Sequence, residues 1–284
     1  MHRRPAWLIQ VALLALAWTL PSSADDRVRT LETAFESHGV ELAGSLVLPS
    51  DGTIHAALVF VHGSGPQTRN LSLAERFARE GIAAFVYDKR GVGKSGGEYE
   101  SRQSVSGMNV SLLADDAASA LKAVAPHPSL RGVPVGIGGI SQAGWIAPLA
   151  AERSGVARFI VLWSAPVCKV SEEDIYSKFT ADADGPGVPS YGDALASRKE
   201  AYIWPESLGA DTDPSDSLRK LSIPGLWIFG GNDGSIPVDL SISRLQSLRE
   251  AGHPYEYVLF SGRGHNNMDS TFATAADWVR RAPK

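Results

Sequence analysis

The chain has 284 residues, 44% hydrophobic and 20% charged, with a net charge of −4. That balance fits one large packed domain and excludes disordered, collagenous and coiled-coil chains, and the sign of the charge argues against a nucleic-acid surface. A single cysteine, Cys168, excludes an intrachain disulfide framework and any zinc or iron–sulfur centre built on several cysteines.

Arg3 and Arg4 precede an apolar run of about 15 residues, and Pro21-Ser22-Ser23-Ala24 then offers small residues ahead of Asp25-Asp26. A basic start, an apolar middle and a small-residue cut site predict a signal peptide over residues 1–24, cleaved after Ala24. The apolar run falls short of the ~20 residues that cross a bilayer, which disfavours the alternative of a retained anchor. The mature domain, residues 25–284, is then expected in the periplasm or outside the cell, with no membrane span of its own. Cys168 is expected to be a buried, inert thiol.

Along residues 25–284, partial alternation over 40–48, closed by Pro49, predicts an edge strand. Short apolar runs at 56–61 and 82–87 predict buried strands, and 133–138, 158–163, 225–229 and 255–260 are predicted as further strands. Helical spacing marks 71–80, 110–124, 142–153, 238–250 and 271–281. Strands alternating with helices predict an α/β domain with a mostly parallel central sheet and helices on both faces. Ligands in such sheets sit at the carboxyl ends of the strands, so functional residues should follow strands directly. Residues 166–221 break the rhythm, rich in Asp, Ser, Pro and Gly. A structureless loop that long is uncommon, so a small, partly helical cap inserted between two strands is expected there.

Gly139-Ile140-Ser141-Gln142-Ala143 follows one predicted strand and opens a helix. It fits G-x-S-x-[GA], in which a strained strand-to-helix turn lifts the serine hydroxyl above the sheet. The flanking positions must be small because strand and helix backbones nearly touch. Gly93-Lys94-Ser95-Gly96-Gly97 fits the same spacing without that setting. A serine hydroxyl needs a base, and the base needs an orienting carboxylate. Of seven histidines, His265 alone follows a strand through a short glycine-bearing loop, Ser261-Gly262-Arg263-Gly264. Asp233 follows the preceding strand in Gly230-Gly231-Asn232-Asp233. The order Ser141, Asp233, His265, each past a successive strand, is that of a hydrolase triad on a parallel sheet.

These residues, with His62-Gly63-Ser64-Gly65-Pro66 and Tyr87-Asp88-Lys89-Arg90-Gly91-Val92-Gly93-Lys94-Ser95, resemble the α/β-hydrolase superfamily of serine esterases and acyl hydrolases. The chain is similar to its secreted dienelactone-hydrolase-like and serine-aminopeptidase-like members. The likeness runs from about residue 40 to the C-terminus, the cap excepted, and implies the α/β-hydrolase fold. Dienelactone hydrolases proper use a cysteine nucleophile, and Ser141 departs from that activity.

The N–H of Gln142, next after the serine, is the expected first oxyanion donor. The resemblance implies a second in the loop after residues 56–61, the Ser64 N–H or alternatively that of Gly65. It also implies that Asp88–Ser95 is a structural turn, with Asp88 pairing to Arg90 or to the backbone. Gly93-Lys94-Ser95 ends like a phosphate-binding loop, but Asp88 stands where that motif needs its first glycine, which speaks against nucleotide binding. The expected activity is hydrolysis of a small-molecule carboxylic ester through an acyl-enzyme, without metal or organic cofactor. Trp145, Trp163 and Trp204 suggest an apolar acyl or aryl pocket. Peptidase or thioesterase action on the same triad is the alternative, and a non-catalytic binding protein on this fold is the alternative of another class.

Overall fold

Two six-residue runs, β3 (Ala56–Val61) and β4 (Ile82–Tyr87), are buried at every position in the computed structural model, which describes residues 27–281. The signal segment expected over residues 1–24 lies outside the described residues. Successive strand side chains face opposite ways, so a strand apolar throughout must serve two cores. Ala57, Val59 and Val61 join one core with Ala83, Phe85 and Tyr87. Ala56, Leu58 and Phe60 join the other with Ile82, Ala84 and Val86.

Each core is closed by helices. The first is covered by α2 (Gly107–Val124), α3 (Ala143–Ser154) and α7 (Val238–Glu250). The second is covered by α1 (Leu71–Arg79) and α8 (Met268–Arg281), which bring Phe77 and Phe272 together at 4.8 Å between ring centres. The remaining strands are β1 (Val28–Ser37), β2 (Val40–Pro49), β5 (Val135–Ile140), β6 (Ile160–Trp163), β7 (Gly225–Gly230) and β8 (Tyr255–Phe260). The eight form one sheet in the order β1-β2-β4-β3-β5-β6-β7-β8. Pairing is antiparallel from β1 through β2 to β4 and parallel from there on. No described helix is long and apolar enough to cross a membrane.

The strand expected at an edge lies inside the sheet, because β1 pairs outside β2. β1 carries few apolar side chains and only Phe35 and Ser37 are buried, so it leaves little hydrophobic pattern. Its hairpin turns on His38 and Gly39, both at positive φ, as a two-residue turn matched to strand twist requires.

Between β6 and β7 the chain makes α4 (Val170–Thr180), α5 (Tyr191–Ala196) and α6 (Pro214–Leu218). Ile175, Tyr176 and Ala194 form a small core of their own there.

In the polar turn after β4, Asp88 holds the backbone, as one of the two expected alternatives had it, and does not pair with Arg90. Asp88 pairs with Arg69, which reaches it through Nε at 3.1 Å and Nη2 at 3.0 Å, and Asp88 also accepts the Lys94 N–H at 2.9 Å. Arg90 instead enters the protein beside Asp116 of α2, with Nε 2.9 Å from one carboxylate oxygen and Nη2 on the other. It also donates to the Ser37 carbonyl at 3.1 Å, tying α2 to the end of β1. Both side chains of this pair are buried, so removing one strands the other without water. Asp116→Ala or Arg90→Ala should cost about 3–5 kcal/mol in a urea-unfolding measurement, and a loss under about 1 kcal/mol would show the pair to be solvated.

Candidate active site

Ser141 is the residue directly after β5, at φ +56°. Left-handed backbone is costly for any residue with a Cβ, so something must hold it there. The Ser141 N–H donates to the Trp163 carbonyl of β6 at 3.0 Å, and the Ser141 carbonyl accepts the Gly144 N–H at 2.8 Å. A Cβ at Gly139 would lie 2.4 Å from Ala143 Cβ and 2.6 Å from the Val61 carbonyl oxygen. The small flanks are therefore a packing requirement where α3 starts against β3 and β5. Ser95, the other serine at that spacing, is occupied structurally. Its hydroxyl donates to the Asp88 carbonyl at 2.6 Å and accepts the Ala43 N–H at 3.0 Å.

Asp233 and His265 meet past the carboxyl ends of β7 and β8. His265 Nδ1 lies 3.0 and 2.9 Å from the two oxygens of Asp233, which is fully buried. Asp233 Oδ1 also accepts the backbone N–H of Ser235 at 2.9 Å and of Ile236 at 3.1 Å. A carboxylate acceptor at Nδ1 places the ring hydrogen there and leaves Nε2 as the accepting nitrogen. The Ser141 hydroxyl makes no hydrogen bond to the His265 ring among the described residues. That contact commonly tightens only when substrate binds.

Two residues that the sequence did not single out hold the histidine loop. Ser164, directly after β6 and also at positive φ, donates through its hydroxyl to the His265 carbonyl at 2.6 Å and accepts from Asn267 Nδ2 at 2.8 Å. Asp184, from the segment between β6 and β7, accepts the Gly234 N–H at 2.9 Å with one oxygen and the His265 N–H at 2.8 Å with the other. A Cβ at Gly264 would lie 2.1 Å from that carboxylate, so glycine is needed for the approach. Tyr176 of α4 adds a hydroxyl bond to the Asp233 carbonyl at 3.1 Å. The inserted segment thus clamps the acid and histidine loops to each other.

Electrostatics follow from that clamp. Burial pushes the His265 imidazole down, but the hydrogen bond to Asp233 and the charges of Asp233, Asp184 and Asp182 outweigh it, leaving its pKa above the ordinary value. A general base must be neutral to accept a proton. The acidic limb of a kcat/KM–pH profile is therefore expected above the ordinary histidine value of about 6.5. Asp184→Asn removes a charge that favours the imidazolium, so the limb should move to lower pH. A limb unmoved in that variant would show that Asp184 acts on the loops alone.

Ser64 is exposed in the loop after β3, and Gln142 is the residue between Ser141 and α3. Neither backbone N–H is used within the described residues. The loop borders the elbow, since a Cβ on Gly63 would sit 3.4 Å from the Ile140 carbonyl oxygen. The tryptophans answer differently from expectation. Trp145 and Trp163 are buried in the two cores, with their indole N–H groups on the Cys168 carbonyl at 2.7 Å and Thr271 Oγ1 at 3.1 Å. Only Trp204 is partly exposed, so these indoles do not together line a pocket. Cys168 is buried, and burial pushes its thiol well up. Among the described residues no group of three or more His, Cys, Asp or Glu is placed to hold a metal ion.

An eight-stranded, mostly parallel sheet with this strand order and helices on both faces is the α/β-hydrolase fold. The acetyl xylan esterase of Paenibacillus sp. R4 superposes with a TM-score of 0.67 at 17% identity, over 93% of this chain and 87% of that one. The esterase Pf2001 of Pyrococcus furiosus superposes at 0.64 and 16% identity, over 91% of this chain and 94% of that one. In sequence, the family described as serine aminopeptidase, S33, matches residues 52–187. The uncharacterized peptidase YtmA of Bacillus subtilis is 24% identical over 247 residues, 86% of this chain and 88% of the relative. The chain thus has the α/β-hydrolase fold, and over the spans matched its sequence is similar to esterase- and peptidase-like hydrolases.

Proposed function

We propose that this chain is a serine hydrolase that cleaves small-molecule carboxylic esters through an acyl-enzyme. The carrying observation is the Asp233–His265 pair at the sheet end where the strained turn presents Ser141. Ser141 Oγ attacks the acyl carbon and gives its proton to His265 Nε2. Asp233 holds the Nδ1 hydrogen and stabilises the imidazolium. The N–H groups of Gln142 and Ser64 receive the negative oxygen, each worth about 3–4 kcal/mol in the transition state. The protonated His265 then gives its proton to the leaving alcohol. Water enters with His265 again as base, and the acyl group leaves as a carboxylic acid.

Peptide cleavage on the same residues is the second reading, supported by the aminopeptidase description of the matching family and by the peptidase name of the Bacillus relative. Both reactions pass through one acyl-enzyme and differ in the leaving group. Comparing kcat/KM on an ester, a thioester and an aminoacyl amide separates them, and an amide preference overturns the esterase reading. We further propose that residues 1–24 are a cleaved leader and that the mature chain works in the periplasm or outside the cell, supported by the basic, apolar and small-residue order of that segment. N-terminal sequencing of the exported protein tests that assignment.

A further inference from the structure

Lys89 comes two residues after β4 and is 3% exposed. A buried ammonium is costly unless its hydrogens find partners. Here Nζ donates to the Gly63 carbonyl at 2.7 Å, the Gly65 carbonyl at 3.1 Å and the side-chain oxygen of Gln142 at 3.0 Å. The other end of the Gln142 amide donates to the Ser104 carbonyl at 2.7 Å, which fixes the amide's orientation. One side chain therefore grips both the loop after β3 and the residue after Ser141.

The direction of that grip matters. In a trans peptide the carbonyl and the following N–H point opposite ways in one plane. Holding the Gly63 carbonyl on Lys89 turns the Ser64 N–H away from the lysine. The Gly65 carbonyl precedes Pro66, which has no N–H, so that second bond anchors the loop without aiming a donor. The Gly65 N–H shares a peptide with the Ser64 carbonyl, which accepts Gln67 Nε2 at 2.6 Å and is not held by Lys89.

We propose that Lys89 is a positioning residue for the oxyanion site: it aims the Ser64 N–H through the Gly63 peptide and holds Gln142 in register with it. The proposal rests on the reading of Ser141 as nucleophile, and it selects Ser64 over Gly65 as the second donor. The charge also polarises the Gly63–Ser64 peptide, which strengthens its N–H as a donor. Burial brings the Lys89 amine down to about 8, so its three hydrogens are present at neutral pH. Burial and the Lys89 charge push the neighbouring His62 imidazole down to about 4, which keeps a second positive charge out of the same pocket.

The test compares wild type, Lys89→Met and Lys89→Gln. The readouts are the rate of fluorophosphonate labelling at Ser141, and kcat and KM on p-nitrophenyl acetate and its thionoester. Lys89→Met is expected to lose roughly 10- to 100-fold in labelling rate and kcat, with KM moved by less than about threefold. The oxoester-to-thionoester rate ratio should fall, because sulfur accepts hydrogen bonds poorly and gains little from an aimed donor. Lys89→Gln keeps a shorter donor and should lie between, and it carries the test where the methionine variant does not fold. Wild-type rates in the variants, or equal losses on both esters, overturn the proposal. If wild-type protein does not label at Ser141, the hydrolase reading itself falls, and the proposal with it.

Discussion

Ser141→Ala is expected to lose on the order of 10⁶-fold in kcat, because a triad without its nucleophile retains little beyond binding and the oxyanion site. The backbone supplies a second, independent readout. Ser141 sits at φ +56°, and alanine keeps the Cβ that makes this conformation costly. Glycine does not. Ser141→Gly should therefore be as inactive as Ser141→Ala yet about 1 kcal/mol more stable than it in urea unfolding. The pair separates chemistry from strain: equal inactivity with unequal stability marks a turn held under strain to present the hydroxyl. Residual activity above about 1% in both variants would move the nucleophile elsewhere, since no other group in a triad replaces it. Ser95 would then need testing, although its hydroxyl is committed to Asp88 and Ala43.

What could be read from sequence was local chemistry. The elbow is legible because its requirements fall within five residues, and the clash of any Cβ at Gly139 with Ala143 and Val61 is the reason. β3, β4 and β8 fall where their apolar runs lie, because β3 and β4 are buried on both faces and β8 is bounded by turns. β1 was invisible because a mostly exposed edge strand needs no apolar pattern, and its pairing comes from a His-Gly turn rather than a more familiar Asn-Gly. The supporting residues were illegible for a different reason. Lys89 reaches partners 26 and 53 positions away, and Asp184 reaches partners 50 and 81 positions away. No local spacing encodes such contacts. Arg69 took Asp88 from the nearer Arg90 in the same way, because the fold offered Arg90 a buried partner in Asp116. One signal did exist. Functional residues follow strands in this architecture, and Lys89 comes two places after β4, in the loop beside that of β3.

Asp233→Asn tests the acid with little change of shape. Asp233 Oδ1 accepts two backbone N–H groups, from Ser235 and Ile236, and lies 3.0 Å from His265 Nδ1, while Oδ2 makes no backbone bond among the described residues and lies 2.9 Å from Nδ1. An asparagine must leave its carbonyl oxygen on those backbone donors, because its NH₂ would meet them donor to donor. The NH₂ then lies at the nearer position, 2.9 Å from His265 Nδ1 against 3.0 Å for the oxygen already shared with two backbone N–H groups, which favours the tautomer in which Nδ1 accepts. The ring hydrogen moves to Nε2, the nitrogen that has to take the Ser141 proton. The expected loss is about 10⁴-fold in kcat with the fold intact, the cost of holding the wrong tautomer. The pH profile should change in a stated direction as well. Burial alone lowers the imidazole pKa, and the Asp233 bond and charge are the leading forces that raise it. Without them the acidic limb should move to lower pH while the plateau collapses. A loss under about tenfold, with the limb unmoved, would show that Asp233 only braces the turn through Ser235 and Ile236, and that His265 is oriented by another group.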